Sequence, residues 1–440
     1  MKSKLSLYLF STLMLLGSLI ALNAEESPDL SDDLFGSSDI LVAEIISPSE
    51  SSSLFETEKV TLGGSFSMTN ESTGNPNELL RGEVGSLGTA SDLSIKLFVD
   101  ARPEEEYRVF VKGKLDYPID GNGDAGATLT EAFADFKIID TVFIRAGKQT
   151  TNWGVGYFFS PANLLDLSRI DPEDPTAERT GPLALKAQLP RATTNYYAYT
   201  ILEDQGDRAQ SGKDIILAPK AEWVFGSTEL GLGGRWAQDR PWAVMTTVSS
   251  KMGYFDMIGE LVLHGNEDKT FLISAPSLPL GLATETRSDE LFPQVMIGLN
   301  WSWNDDLNRL GLSFHAEYFY NGMGYSDAYF IQDHYRELNP LVATGLLQAE
   351  DLKERGQHYG AANLGLLKIL DSDFGLSFFW LSNLAERSGI TKASLNYAGL
   401  KYVNISLSYA YTYGTEGSEY APQGDVPSLS LKLSLSGFTF

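Results

Sequence analysis

Residues 141–181 read TVFIRAGKQTTNWGVGYFFSPANLLDLSRIDPEDPTAERTG. In the opening TVFIRAGKQ, Val142, Ile144 and Ala146 fall on one side of an extended chain and Arg145 and Gln149 on the other, because successive strand side chains point oppositely. Such a strand divides an apolar medium from water. The segment from Thr150 to Gly181 is too long for a hairpin turn, and its Trp153, Tyr157, Phe158, Phe159, Leu164 and Leu165 make it too apolar to be simply solvated. A barrel strand followed by a loop folded back into the lumen satisfies both halves.

Working outward, the chain starts with Lys2 and Lys4, an apolar run from Leu5 to Leu22, and Ala24 ahead of the acidic Glu25 and Glu26. That order of charge, apolar core and small residue is a secretory signal peptide, residues 1–24, with an uncleaved anchor helix as the alternative. Residues 25–58 are rich in Ser, Asp and Glu around one apolar island, Ile40 to Ile46. They read as an acidic periplasmic leader or, if the island docks in the barrel mouth, a partial plug. The barrel is expected over 59–440. With no cysteine in the chain there is neither a lipid-modified N-terminal Cys nor a disulfide framework. The net charge of −25 becomes about −27 once Lys2 and Lys4 are removed, which argues against nucleic acid and anionic lipid surfaces as partners.

Beyond the signal no stretch reaches the roughly 18 apolar residues of a helical span, so a membrane can be crossed only by a closed barrel. Period-2 alternation marks about eighteen runs, near 59–68, 92–101, 106–117, 128–138, 141–149, 182–190, 193–203, 214–225, 227–237, 242–251, 254–264, 293–304, 308–321, 357–369, 373–383, 388–398, 401–413 and 427–440. Sixteen strands is the alternative count. The even-numbered runs from the second to the sixteenth are each followed by a short turn, such as Gly226, Gly253 or Asp371 to Ser372. Most odd-numbered runs lead into longer loops, at 69–91, 150–181, 265–292, 322–356 and 414–426, although the connections near 238–241 and 384–387 are brief. This asymmetry is the pattern of an antiparallel up-and-down transmembrane barrel in an outer membrane. The faces agree: Val403, Ile405, Leu407, Tyr409, Tyr411 and Tyr413 oppose Asn404, Ser406 and Ser408. Trp223, Trp236, Trp242, Trp301, Trp303 and Trp380 lie toward strand ends, where interfacial girdles form. A soluble sandwich also alternates, but the signal peptide and the loop asymmetry disfavour it.

At the C-terminus Leu429, Leu431, Leu433 and Leu435 alternate with Ser430, Lys432 and Ser434, and the chain stops at Phe438, Thr439, Phe440. This resembles the assembly signal of Gram-negative-type outer-membrane barrels, and the resemblance implies the barrel-assembly machinery as a partner through Phe438 and Phe440. The leucines and the two Phe residues are in opposite register, which a bulge at Gly437 reconciles. Gly147, Lys148, Gln149, Trp153, Gly154, Ser160 and Pro161 also resemble a segment of several porin-like outer-membrane families, in which a strand ending Gly-Lys/Arg-Gln runs into Trp-Gly and then Ser-Pro. That resemblance implies a channel with an infolded loop, here carrying Trp153, Tyr157, Phe158, Phe159, Ser160 and Pro161.

An eighteen-stranded barrel encloses water, and its lumen charges can then filter solutes. Early strands supply Arg108, Lys112, Lys114, Lys137, Arg145, Lys186, Lys220 and Arg235 with Asp116, Glu131, Asp135, Glu222 and Glu229, and the loop supplies Asp166, Asp171, Glu173, Asp174 and Glu178 against Arg169 and Arg179. The constriction is placed at Arg145, Lys186, Arg169, Asp171, Glu173, Asp174 and Arg179. Asp120, Asn122, Asp124 and Glu131 occupy positions of a calcium loop, but Ala125 stands where that loop needs Gly and no helices flank it, so a Gly-rich hairpin loop explains the same residues and no metal is expected. His315 and Glu317 share the lumen face without a Ser motif, and no phosphate loop or cofactor motif follows a strand, so the chain is not read as an enzyme. Pro340 to Arg355 has a helical pattern able to cap the mouth. The expected function is passive diffusion of small polar solutes, since no plug domain of the size used by energised transporters precedes the first strand; the outer-membrane lipid and those solutes are the remaining partners. Assembly into a homo-oligomer is left open. The alternative is a barrel for adhesion, surface assembly or apolar-ligand uptake, the last through a pocket of Phe158, Phe159 and Leu164.

Overall fold

A computed structural model describes residues 59–439 except 83–86, 105, 122, 139–140, 166–169, 205–206, 209–213, 306 and 308, and also 55–56. Residues 1–24 and nearly all of the leader lie outside the described residues, as do Asn122, Asp166, Arg169 and Phe440.

Eighteen strands form the barrel. They are β1 (Val60–Gly74), β2 (Gly88–Glu104), β3 (Tyr107–Pro118), β4 (Gly126–Ile138), β5 (Val142–Lys148) and β6 (Leu183–Arg191). Next come β7 (Thr194–Ile201), β8 (Ile216–Phe225), β9 (Thr228–Arg235), β10 (Trp242–Met252), β11 (Phe255–Gly265) and β12 (Leu291–Asn304). The circuit ends with β13 (Gly311–Asn321), β14 (His358–Leu367), β15 (Phe374–Asn383), β16 (Ser388–Leu400), β17 (Val403–Tyr413) and β18 (Val426–Thr439). Each pairs antiparallel with its sequence neighbour, and β1 pairs with β18, so the sheet has no edge. Sixteen strands and the sandwich are thereby excluded. Closure matters because an unpaired backbone group in hydrocarbon costs several kcal/mol.

Closure also accounts for the C-terminal register. Phe66 pairs with Phe438, yet Met68 pairs with Leu435, so β18 carries one residue more than β1 between these two rungs. This is the bulge that the Leu and Phe series demand.

Side-chain exposure follows the alternation. On β13 the residues that point inward, Ser313, His315, Glu317, Phe319 and Asn321, are all buried, while Leu312, Phe314, Ala316, Tyr318 and Tyr320 are only partly so. Around the outside, Leu97, Leu115, Leu217, Val244, Leu261, Ile297, Leu376 and Leu431 are all exposed. That apolar belt is what lipid covers. Trp236 and Trp303 are exposed near strand ends, as a girdle requires.

The short turns join the even-numbered strands to the next, with Gly226 and Gly253 taking positive φ of 63° and 68° in the tightest of them. At the opposite end a hairpin (Thr270–Ser274 with Leu282–Thr286) packs on helices Phe330–Asp333 and Tyr335–Ala343 through Leu272, Leu282, Ile331, Leu338, Leu341 and Leu347. The helix therefore precedes the expected 340–355: Pro340 sits inside it, and only a 3-10 turn, Ala349–Leu352, falls in the second half.

The belt gives a direct prediction. Leu261→Arg, midway along β11, places a charge in hydrocarbon at roughly 2–4 kcal/mol; refolding into bilayers, followed by heat-modifiable gel mobility, should show a lower folded fraction, whereas Leu261→Ile should fold like the parent.

Candidate functional site

The buried inner face of the barrel needs something to bury it, and that is the loop 149–182. It leaves β5 at Gly147, whose φ of 134° and close approach exclude a side chain: a Cβ there would sit 2.2 Å from the Ala132 carbonyl oxygen. Gln149, fully buried, donates from Nε2 to the Ala184 carbonyl at 3.0 Å and so turns the chain inward. Trp153 is also fully buried, edge-on to Tyr199, in a cluster with Ala162, Leu164 and Leu165 from the loop and Tyr197, Ile216, Met245 and Val262 from the wall. Farther on, Phe158 and Phe159 pack against Met296, Phe319, Tyr359 and Leu381.

Two wall carboxylates hold the loop by its backbone. Glu260 on β11 accepts from the amides of Val155 at 2.5 Å, Gly156 at 2.8 Å and Ala162 at 2.7 Å, and from the Ser160 hydroxyl at 3.0 Å. Glu317 on β13 accepts from the amides of Tyr157 at 2.5 Å, Phe158 at 2.9 Å and Phe159 at 2.8 Å. Successive N–H groups in a turn form a concave anion site, and here the anion is a side chain from across the barrel. Gly154 and Gly156 make the approach possible: a Cβ on Gly156 would lie 1.8 Å from the Phe159 carbonyl oxygen, and one on Gly154 2.5 Å from Glu260. The motif residues Gly147, Gln149, Trp153, Gly154 and Ser160 are thus explained one by one.

The return limb is anchored ionically. Glu178 contacts Lys112 Nζ at 2.5 Å on β3 and Lys96 Nζ at 2.7 Å on β2. Burial pushes its carboxyl up, but hydrogen bonds and charge from the two lysines outweigh this and hold it below its ordinary value.

Among the described residues of the expected constriction, Arg145 and Lys186 stand side by side on the wall, and Asp171, Glu173 and Asp174 share one turn of the loop. Arg145 makes a two-pronged pair with Asp135, at 2.6 and 2.9 Å, and lies 3.8 Å from the Phe133 ring centroid. Lys186 stands beside Arg145 in register on β6. Asp171, Glu173 and Asp174 are exposed on the far side of the loop, in a turn where Asp171 accepts from the Glu173 amide at 2.9 Å. Glu173, though exposed, faces Lys392 on β16; partial loss of hydration beside the wall and the charge of Asp171 push its carboxyl up, and Lys392 pulls it back. Arg179 keeps its place in the return limb, where its carbonyl takes the Thr150 hydroxyl at 3.5 Å. The loop-to-wall ion pairs therefore use Glu178 with Lys96 and Lys112, and Lys96 carries no sequence motif beyond its place on an inward-facing row. Glu131 accepts from the Thr150 amide at 3.2 Å, which ties it to the loop's start. Among the described residues no group of three or more His, Cys, Asp or Glu is arranged to hold a metal. His315 Nδ1 lies 3.1 Å from Asn300 Oδ1, under the Tyr157 ring.

A cavity of about 190 Å³ remains open between the loop and the wall formed by β1 and β14–β18. Tyr157, Phe158, Glu173 and Pro175 bound it on the loop side, and Glu71, Thr73, Asn363, Phe379, Lys392, Ser428 and Ser430 on the wall side.

Two predictions follow from this docking. Glu317→Gln replaces an acceptor oxygen by a donor and removes charge-assisted hydrogen bonds, each roughly 1.5–3 kcal/mol; limited proteolysis should then cut the loop in an intact barrel, and Gly156→Ala should do the same. On acidification the Glu178 anchor persists below the ordinary glutamate value of 4.5 and is lost as pH falls through its depressed value, so loop protection from protease should hold at pH 5 and fail only in stronger acid, with Glu178→Gln removing that pH dependence.

No protein-family model matches the sequence, and no curated protein matches it. Among solved structures the barrel is similar to OccAB1 of Acinetobacter baumannii, with a TM-score of 0.50 and 11% identity over 88% of this chain and 99% of that one. A BenF-like porin from Pseudomonas fluorescens Pf-5 gives a TM-score of 0.49 and 9% identity over 86% and 98% of the two chains. At such identity the first likeness shows a shared fold, and the fold of this chain is that of the porin-like outer-membrane β-barrels.

Proposed function

We propose that this chain is an outer-membrane channel for passive diffusion of small polar solutes, filtered where the infolded loop narrows the lumen. The observation that carries the reading is the open cavity between the loop and the β1 and β14–β18 wall, whose lining sets charged, hydroxyl and amide groups beside an apolar share that includes Ile390 and Ala410. Lumen width favours it too, since a barrel of eighteen strands is too wide for wall side chains alone to fill. The loop packs on the wall from β6 to β15 and leaves this cavity open beside β1 and β14–β18.

The filter is electrostatic. Glu173 lines the open cavity from the loop, with Asp171 and Asp174 exposed in the same turn, while Lys392 and Glu71 line it from the wall. Charges in a narrow, water-poor passage act on permeating ions more strongly than at an open surface. Arg145 and Lys186 belong to the opposite wall, where they set the field behind the loop. The rival reading, uptake of apolar ligands, has less to support it: Phe158 and Phe159 are each 2% exposed and Leu164 9%, all three spent on docking the loop.

Purified protein in planar bilayers should give stepwise ion currents. Reversing Asp171 and Asp174 to Lys should move the zero-current potential in a salt gradient toward anion preference, and Lys392→Glu should move it toward cations. Currents absent from correctly folded protein would remove the channel reading; a potential indifferent to all three substitutions would remove the filter.

A further inference from the structure

We propose that the open cavity is a partition site for uncharged, hydroxyl-rich solutes of monosaccharide size, and that it disfavours anions of the same shape. The inference rests on the channel reading and names its solute class.

Asn363 on β14 is the starting point. It is 3% exposed, lines the cavity, and its Oδ1 has no hydrogen-bond partner among the protein's own groups. A buried amide oxygen is satisfied only by a donor. A solute hydroxyl is such a donor, whereas a carboxylate offers acceptors alone. Thr73, Ser428 and Ser430 add hydroxyls on the neighbouring strands, able to give or take hydrogen bonds along the same wall.

Charge points the same way. Two carboxylates, Glu71 and Glu173, line the cavity with one ammonium, Lys392, which already faces Glu173. Four cations on the neighbouring lumen wall are already engaged: Lys96 and Lys112 by Glu178, Arg145 by Asp135, and Arg108 by Asp100. An anion entering the cavity meets net negative charge and an acceptor-rich wall, and a neutral polyol meets neither penalty.

The remaining side is apolar. The Phe158 and Phe379 rings, 5.9 Å apart, form one flank of the cavity. A cyclic polyol presents a C–H face and a hydroxyl rim, which matches an aromatic flank opposite a hydroxyl and amide wall.

Glucose and glucuronate share a ring and differ in charge, so they test the inference. Each is titrated into single channels of the folded protein, and the interruption of the ion current gives an apparent affinity. Glucose should bind about fivefold or more tightly than glucuronate, and Asn363→Ala should weaken glucose by about fivefold. Glucuronate binding as well as or better than glucose overturns the proposal while the channel stands. So does an Asn363→Ala channel, folded by heat-modifiable mobility, with glucose affinity unchanged. If that variant fails to fold, the two solutes on the parent protein decide alone. If the parent carries no current, the channel reading falls and this one with it.

Discussion

A sheet that meets hydrocarbon on one face has no water there to complete its hydrogen bonds, and every other feature of this molecule follows from how the chain meets that constraint. Pairing β1 with β18 removes the last free edge. Closure at eighteen strands in turn fixes a lumen too wide for the wall's own side chains to fill. The inward-facing residues must then either face water or be covered, and the chain does both: the loop after β5 packs on β6 to β15 and is tied to β2 and β3 through Glu178, while a cavity stays open beside β1 and β14–β18.

Covering a polar wall with backbone poses a second problem, because turns bring orphan N–H groups with them. Glu260 and Glu317 solve it. Each is buried, 3% and 5% exposed, and each would be costly there without donors. The loop's turns supply seven donors between the two, so the needs of the carboxylates and of the amides cancel. Apolar packing of Trp153, Phe158 and Phe159 excludes water from the same contacts and strengthens them. The acidic turn at Asp171 to Asp174 stays exposed because the loop's grip lies elsewhere.

The strands were legible because lipid and water leave opposite marks on alternate residues: expected runs such as 214–225, 242–251 and 254–264 match Ile216–Phe225, Trp242–Met252 and Phe255–Gly265 closely. The exceptions lie where that contrast ends. β1 runs on to Gly74 through Thr69, Asn70, Glu71, Ser72 and Thr73, a stretch polar on both faces, so alternation carries no signal there. The bulge in β18 could be read because two hydrophobic series clashed in register. The helix at Tyr335–Ala343 was misplaced because Pro340 reads as a helix start, and here it lies in the sixth position. Partners were harder to read than faces. Alternation put Glu317 in the lumen, but its donors lie about 160 residues earlier, and no local pattern marks a carboxylate as waiting for a distant turn. Arg145 and Lys186 carry the expected charge, but charge alone does not tell that Asp135, one strand away, is the partner of the first.

Where the loop leaves the wall open, water lines the inner row of side chains, and lipid lines the outer row. The chain has no cysteine, so single ones can be introduced without background. Ser430 and Leu431 are adjacent in β18, one lining the cavity and the other 44% exposed on the opposite face. In protein reconstituted into vesicles, Ser430→Cys should react with a water-soluble, lipid-insoluble thiol reagent and Leu431→Cys should stay unmodified; modification of Leu431→Cys with protection of Ser430→Cys would contradict it.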